Sequence, residues 1–280
     1  MGSNKTIPAN QERQREEYIS EEDLKKAEKY VEEDEGLIDA VPKGLALIVI
    51  TVLAVIMSLV HLYAAVGIIT PQILRAIHVA FVLGLTFLVF PAVKKFRGKI
   101  FWFDILFALL SIIPSIYLIV DFEEFIYRSI TPTQWDIVLG ILLILLILET
   151  SRRSTGIVMP LTALCFLAYA MVGPLLPKPW THRGYDIGRI VGHMYMTLEG
   201  IFGVPIDVSS TFIILFTIFG AFLQSSGAGK FYVDFSFALM KGKPTSAGRT
   251  VTLASFLLGG PSGSGTATTV TLGAFAWPML

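Results

Sequence analysis

Six separate apolar stretches, each close to the length that a helix needs to cross a bilayer, constrain this chain more than any other feature. They run over residues 44–69, 73–90, 100–120, 137–148, 157–176 and 208–224, the fourth being short, with Trp135 at its entrance. A helix needs roughly 20 predominantly apolar residues to span the hydrocarbon core. In lipid every backbone N–H and C=O must be satisfied within the protein, so such runs read as spanning helices. Hydrophobic residues make up 54% of the 280 and charged residues 16%, with a mean hydropathy of +0.67, which excludes a soluble domain of this size. The expected fold class is all-α, a polytopic membrane protein with about six spanning helices.

Pro71, Pro91 and Pro132 punctuate the ends of these stretches, whereas Pro114 and Pro160 lie inside them and read as packing kinks. The formal net charge is zero, so the total carries no signal for a nucleic-acid partner, and none is expected. Cys165, the single cysteine, sits in an apolar run and has no intramolecular partner for a disulfide.

The C-terminal stretch 250–280 is different in kind. Its centre is Gly259-Gly260-Pro261-Ser262-Gly263-Ser264-Gly265-Thr266-Ala267-Thr268-Thr269, flanked by apolar residues 251–258 and 270–280, neither flank long enough to span alone. Helix, break and helix predict a re-entrant hairpin of two half-helices. Its tip would offer carbonyls from one half-helix, free N–H groups from the other, and hydroxyls between them, the ingredients of a cation and anion site inside a membrane. Gly259 and Gly263 also have the small-xxx-small spacing of close helix packing, although packing alone does not account for a proline, two serines and three threonines in this run. A phosphate-binding loop would need Lys where Thr266 follows Gly265. The glycine-flanked serines Ser262 and Ser264 loosely resemble a Gly-x-Ser-x-Gly nucleophile motif and keep an intramembrane serine hydrolase as an alternative, with His61, His78, His182 and His193 all distant in sequence.

Residues 1–42 carry twelve acidic and six basic residues and no apolar run, a solvated acidic tail rather than a signal peptide. Ser20 with Asp23 resembles a capping box, and helix-spaced pairs such as Glu21 with Lys25 predict a surface helix over 20–35. Lys94, Lys95, Arg97 and Lys99, then Arg152 and Arg153, then Lys241, Lys243 and Arg249, mark three cytoplasmic loops by the positive-inside rule. The N-terminus is then cytoplasmic, the loop 121–134 lies outside, and the hairpin enters from the cytoplasmic side. Residues 178–204 place Trp180, Arg183, Tyr185, Ile187, Ile190, Val191, Met194 and Leu198 roughly on one face, predicting a helix in the outer interface. A second amphipathic stretch covers 231–240. Of the ionisable residues in or near spans, Asp104, Glu149 and Arg75 lie near ends where water or basic loops are in reach and read as structural. His61 and His78 lie deeper, as helix–helix hydrogen-bonding groups or a proton relay.

Three motifs carry a family resemblance: Thr197-Leu198-Glu199-Gly200-Ile201-Phe202-Gly203-Val204-Pro205; Phe219-Gly220-Ala221-Phe222-Leu223 with Ser226-Gly227-Ala228-Gly229-Lys230-Phe231; and Ser262-Gly263-Ser264 leading to Gly273. Over residues 197–280 the chain resembles the membrane permease of tripartite ATP-independent periplasmic (TRAP) transporters, in the fused form and the branch that works with TAXI-type binding proteins. Residues 1–196 match that family only in layout. The resemblance implies an inverted-repeat, elevator-type secondary transporter that imports small organic acids with sodium, without a cofactor or enzymatic activity, in the inner membrane. A periplasmic solute-binding protein would deliver the substrate. It further implies that Ser262, Gly263, Ser264 and Thr268 serve Na+, and that Ser262, Gly265 and Thr266 face the substrate.

The family usually has asparagine where Thr268 stands and commonly alanine at Gly265. Fused permeases are more than twice this length and carry two inverted repeats, so the chain is expected to be truncated within the first repeat, or to need a split partner. The expected division is a cytoplasmic tail over 1–42, a small-subunit-like four-helix bundle over 43–150, a linking span with an outer-face interfacial helix over 151–207, and the start of the transport domain over 208–280, with the hairpin at 250–280. A non-transporting membrane subunit or anchor is the rival reading.

Overall fold

The computed structural model describes residues 42–93, 99–240, 246–259 and 265, and all regular structure among them is helical. The described residues up to Ile214 form one compact unit, and those from Leu215 onward belong to a second. The first unit contains α1 (Leu45–Val66), α2 (Pro71–Val89), α3 (Trp102–Val120), the short α4 (Phe122–Tyr127) and α5 (Gln134–Ser154). It continues with α6 (Val158–Val172), α7 (Ile187–Met196), α8 (Val204–Val208) and a π-helical segment, Ser209–Ile213. From there α9 (Ile214–Ser225) leads into the second unit, where α10 (Ala228–Met240) packs on α11 (Ser246–Gly259).

Six helical segments are long and apolar enough to cross a membrane: Leu45–Val66, Pro71–Val89, Trp102–Val120, Gln134–Ser154, Val158–Leu175 and Val204–Leu223. Two expected boundaries move. The fourth span is not short, because Thr133 caps it with its hydroxyl on the Asp136 N–H and Asp136 accepts from the Thr133 N–H, starting the helix ahead of the apolar run. The sixth begins at Val204 rather than near 208, since Pro205 fits the first helical turn, where no N–H is needed. The interfacial helix expected over 178–204 is confined to α7. Asp186 caps its start through the Arg189 N–H, and Thr197 ends it by returning its hydroxyl to the His193 carbonyl. The expected helix over 20–35 and the basic run 94–98 lie outside the described residues.

The core gathers on α2, α3, α5 and α7. Val79, Leu83 and Phe87 meet Leu118, Leu143 and Leu146, with Phe125, Val191 and Tyr195 closing one end. Between membrane helices there is no water to exclude, so association rests on close packing and hydrogen bonds. Both occur at α7: the Tyr195 hydroxyl donates to the Pro114 carbonyl at 2.6 Å, and its ring meets Phe125 edge-on at 4.9 Å. Burial pushes the Tyr195 phenol well above its ordinary range, which keeps it a donor. Gly140 lets α7 sit on α5, since a Cβ there would collide with Val191, and Gly192 lets α7 meet the Ser129 carbonyl. Because that obstruction is backbone, Gly192→Ala is expected to cost about 1–3 kcal/mol. An unchanged midpoint of unfolding in detergent mixtures would show that α7 shifts freely.

Polar side chains fasten the bundle at its two ends. At one, Asp136 accepts from the Tyr117 hydroxyl (2.8 Å), the Thr133 hydroxyl (2.7 Å) and Arg128 Nε (3.2 Å), and Arg128 also reaches Asp121 at 2.7 Å. Those hydrogen bonds, to Asp136 first, raise the Arg128 pKa. At the other, Arg153 of α5 pairs with Asp104 of α3 at 2.6 Å and with Glu149 at 2.8 Å, and donates to the Phe90 carbonyl beyond α2. Of the two partners expected for Asp104, water or a basic loop, the structure shows the second: it is buried against Arg153, which lies in the last turn of α5 rather than in a loop.

Candidate functional site

Of the hairpin-tip residues, Ser262, Gly263, Ser264, Thr266 and Thr268 lie outside the described residues. Gly265 is helical and exposed. Ahead of the tip, α11 has 14 residues. Thr252 and Ser255 return their hydroxyls to the Gly248 and Val251 carbonyls, so neither needs an outside partner on the way to the tip.

The described residues also build a polar seam that the sequence showed only in pieces. Along α2, Gln72, Arg75 and His78 recur every third residue and all reach other segments. Gln72 Nε2 donates to the Met196 carbonyl at 3.2 Å. Arg75 donates to the Phe202 carbonyl at 2.6 Å and pairs with Asp207 at 2.7 Å, tying the chain between α7 and α8 to the start of the sixth span. Arg75 therefore has the structural role expected of it. Its partner Asp207 was not singled out, although it is an acidic residue in the first turn of an apolar run, where an isolated charge requires a partner.

His78 continues the seam inward. His61 Nδ1 lies 2.7 Å from the Met57 carbonyl, which can only accept, so that nitrogen carries the proton. In the neutral ring His61 Nε2 is then an acceptor, and His78 Nδ1 donates to it at 2.9 Å. His78 Nε2 accepts in turn from the Ser209 hydroxyl at 3.0 Å. With both rings neutral, one proton arrangement satisfies the whole chain, running from Ser209 through two buried imidazoles to a carbonyl of α1. The same bonds join three helices and form a continuous hydrogen-bonded path. The path ends at the first residue of the π-helical segment, where the wider turn loosens the backbone. Ser210 and Thr211 both donate to the Asp207 carbonyl there, at 3.1 and 2.7 Å. His78→Leu would leave the Ser209 hydroxyl and His61 Nε2 without partners, an expected loss of about 1–3 kcal/mol for each buried group. Ser209→Ala, which removes only the terminal donor, should cost less. Equal midpoints for the two variants would mean that the imidazole pair does not join the helices.

Residues 142–280 match the family model described as Tripartite ATP-independent periplasmic transporter, DctM component. The match begins inside α5, upstream of the three motifs, and runs through the polar seam's Asp207 and Ser209 and the glycine-serine run. The matched stretch covers just under half of the chain. No curated protein and no solved structure matches the chain.

Proposed function

We propose, from a chain whose residues 142–280 match the TRAP permease DctM component, that this protein is the membrane part of a sodium-coupled importer of small organic acids. The observation that carries the reading is the position of the glycine-serine run within the matched region, directly after α11, which would be the first half-helix of a hairpin. Carbonyls and hydroxyls of Ser262, Gly263, Ser264 and Thr268 would supply the hard oxygen ligands that an alkali cation needs, and a bound Na+ would offset the charge of an incoming carboxylate. Ser262, Gly265 and Thr266 would present the N–H groups and hydroxyls that bind the anion. Threonine at 268 keeps an oxygen ligand where asparagine is usual. The basic loops would lie in the cytoplasm by the positive-inside rule, which supports a cytoplasmic N-terminus and an inner-membrane location. The substrate would arrive on a TAXI-type periplasmic binding protein.

Proteoliposomes containing the permease with its second repeat and the binding protein should take up radiolabelled small carboxylates under an inward sodium gradient. Ser262→Ala and Ser264→Ala are each expected to lower that uptake about tenfold, one lost ion ligand amounting to roughly 1.4 kcal/mol. Uptake indifferent to sodium would remove the coupling assignment, and uptake indifferent to both substitutions would return the chain to the anchor reading.

A further inference from the structure

A cleft of about 380 Å³ opens between α6 and α7. Its walls are Leu167 and Ala170 from α6, with Ile190 and Met194 from α7, and its rim carries Arg189 and His193 one helical turn apart. The Arg189 guanidinium lies 5.7 Å over the Tyr185 ring, and among the described residues no carboxylate stands within ion-pair distance of it. The Asp186 carboxylate accepts from the Arg189 backbone N–H, and Glu199 approaches His193 only at 3.9 Å. The surrounding segment 176–196 adds Lys178 and Arg183 against the single Asp186. The rim is therefore cationic and the trench apolar.

Depth decides what such a cleft can hold. The fifth span ends at Leu175, so Ala170 and Leu167 lie about 8 and 12 Å below that end, inside the hydrocarbon layer. Trp180 and Tyr185 are the exposed aromatic side chains expected where tails give way to headgroups. An acyl chain can lie along the apolar trench, and a phosphate matches the Arg189 guanidinium beside an imidazole.

We propose that the α6–α7 cleft is a specific site for one anionic phospholipid, its phosphate on Arg189 and His193 and one acyl chain along Leu167, Ala170, Ile190 and Met194. The assignment rests on the membrane fold and not on the transport reading. Binding is measured on the purified full chain by native mass spectrometry and by lipid-dependent thermal shift. The probes are dioleoylphosphatidylglycerol, dioleoylphosphatidylcholine and glycerol phosphate. Phosphatidylglycerol should bind saturably and raise the melting temperature, with phosphatidylcholine weaker. Arg189→Gln should weaken phosphatidylglycerol binding about tenfold, the loss of one charge-assisted contact. Leu167→Trp, which fills the trench and leaves the rim, should abolish the shift. Arg189 is exposed, so its variant should melt like the parent without lipid and reads binding alone. Equal binding by parent and Arg189→Gln, equal effects of the two phospholipids, full stabilisation by glycerol phosphate, or an unaffected Leu167→Trp would each overturn the proposal.

Discussion

Replacing Arg153 by methionine is expected to destabilise the helix bundle by about 3–5 kcal/mol, because it strands a buried carboxylate. Arg153 and Asp104 are 2.6 Å apart with side chains 0% and 1% exposed, so water cannot take over for a lost partner. The guanidinium also lies over Phe87 and Phe107, at 4.9 and 5.5 Å from their ring centres, and holds the Phe90 carbonyl. Its removal thus loosens α2 and α3 together. Asp104→Leu alone should cost a similar amount by stranding the cation, although Glu149 at 2.8 Å retains part of the pairing. The double variant, Asp104→Leu with Arg153→Met, should recover most of either loss, since an apolar pair has no desolvation penalty. Equilibrium unfolding in mixed detergent micelles measures all three. A double variant as unstable as the sum of the singles would show that the two residues act separately.

Asp136→Ala is expected to be the next most damaging change, at about 3 kcal/mol. Asp136 caps α5 through Thr133 and accepts from both Tyr117 and Arg128. Arg128 keeps Asp121 at 2.7 Å and is partly solvated, so no cation is left alone, which makes the loss smaller than at Arg153. Asp136→Asn retains one acceptor oxygen and should lose about half as much. The measurement is the same unfolding midpoint, with hydrogen exchange of the first turn of α5 as a local readout. Undiminished protection there in Asp136→Ala would show that the cap does not set the start of the helix.

These two clusters sit at opposite ends of the bundle, in accord with the up-and-down order of the spans. The C-terminal end of α2, the start of α3 and the end of α5 meet around Arg153. The end of α3 and the start of α5 meet around Arg128. The two ends are thereby distinguished by pairing, whereas the cytoplasmic assignment comes from the charges of the loops.

The number and approximate position of the spans were determined by sequence alone. Apolar length is a property of the chain, and lipid permits few other structures for it. The structural role of Arg75, Asp104 and Glu149 was legible as well, because each lies near the end of an apolar run. Where a span begins was less legible, since Thr133 with Asp136, and Pro205 in a first turn, outweigh average hydropathy through local hydrogen bonding. Tertiary structure alone decided which polar residues meet. Arg75 finds Asp207 across more than a hundred residues, and His78 joins His61 to Ser209. Residue spacing reports the face of one helix, but partners on different helices are brought together only by packing. The cleft between α6 and α7 is of the same kind, an apolar trench and a cationic rim that exist because two segments of ordinary composition stand side by side.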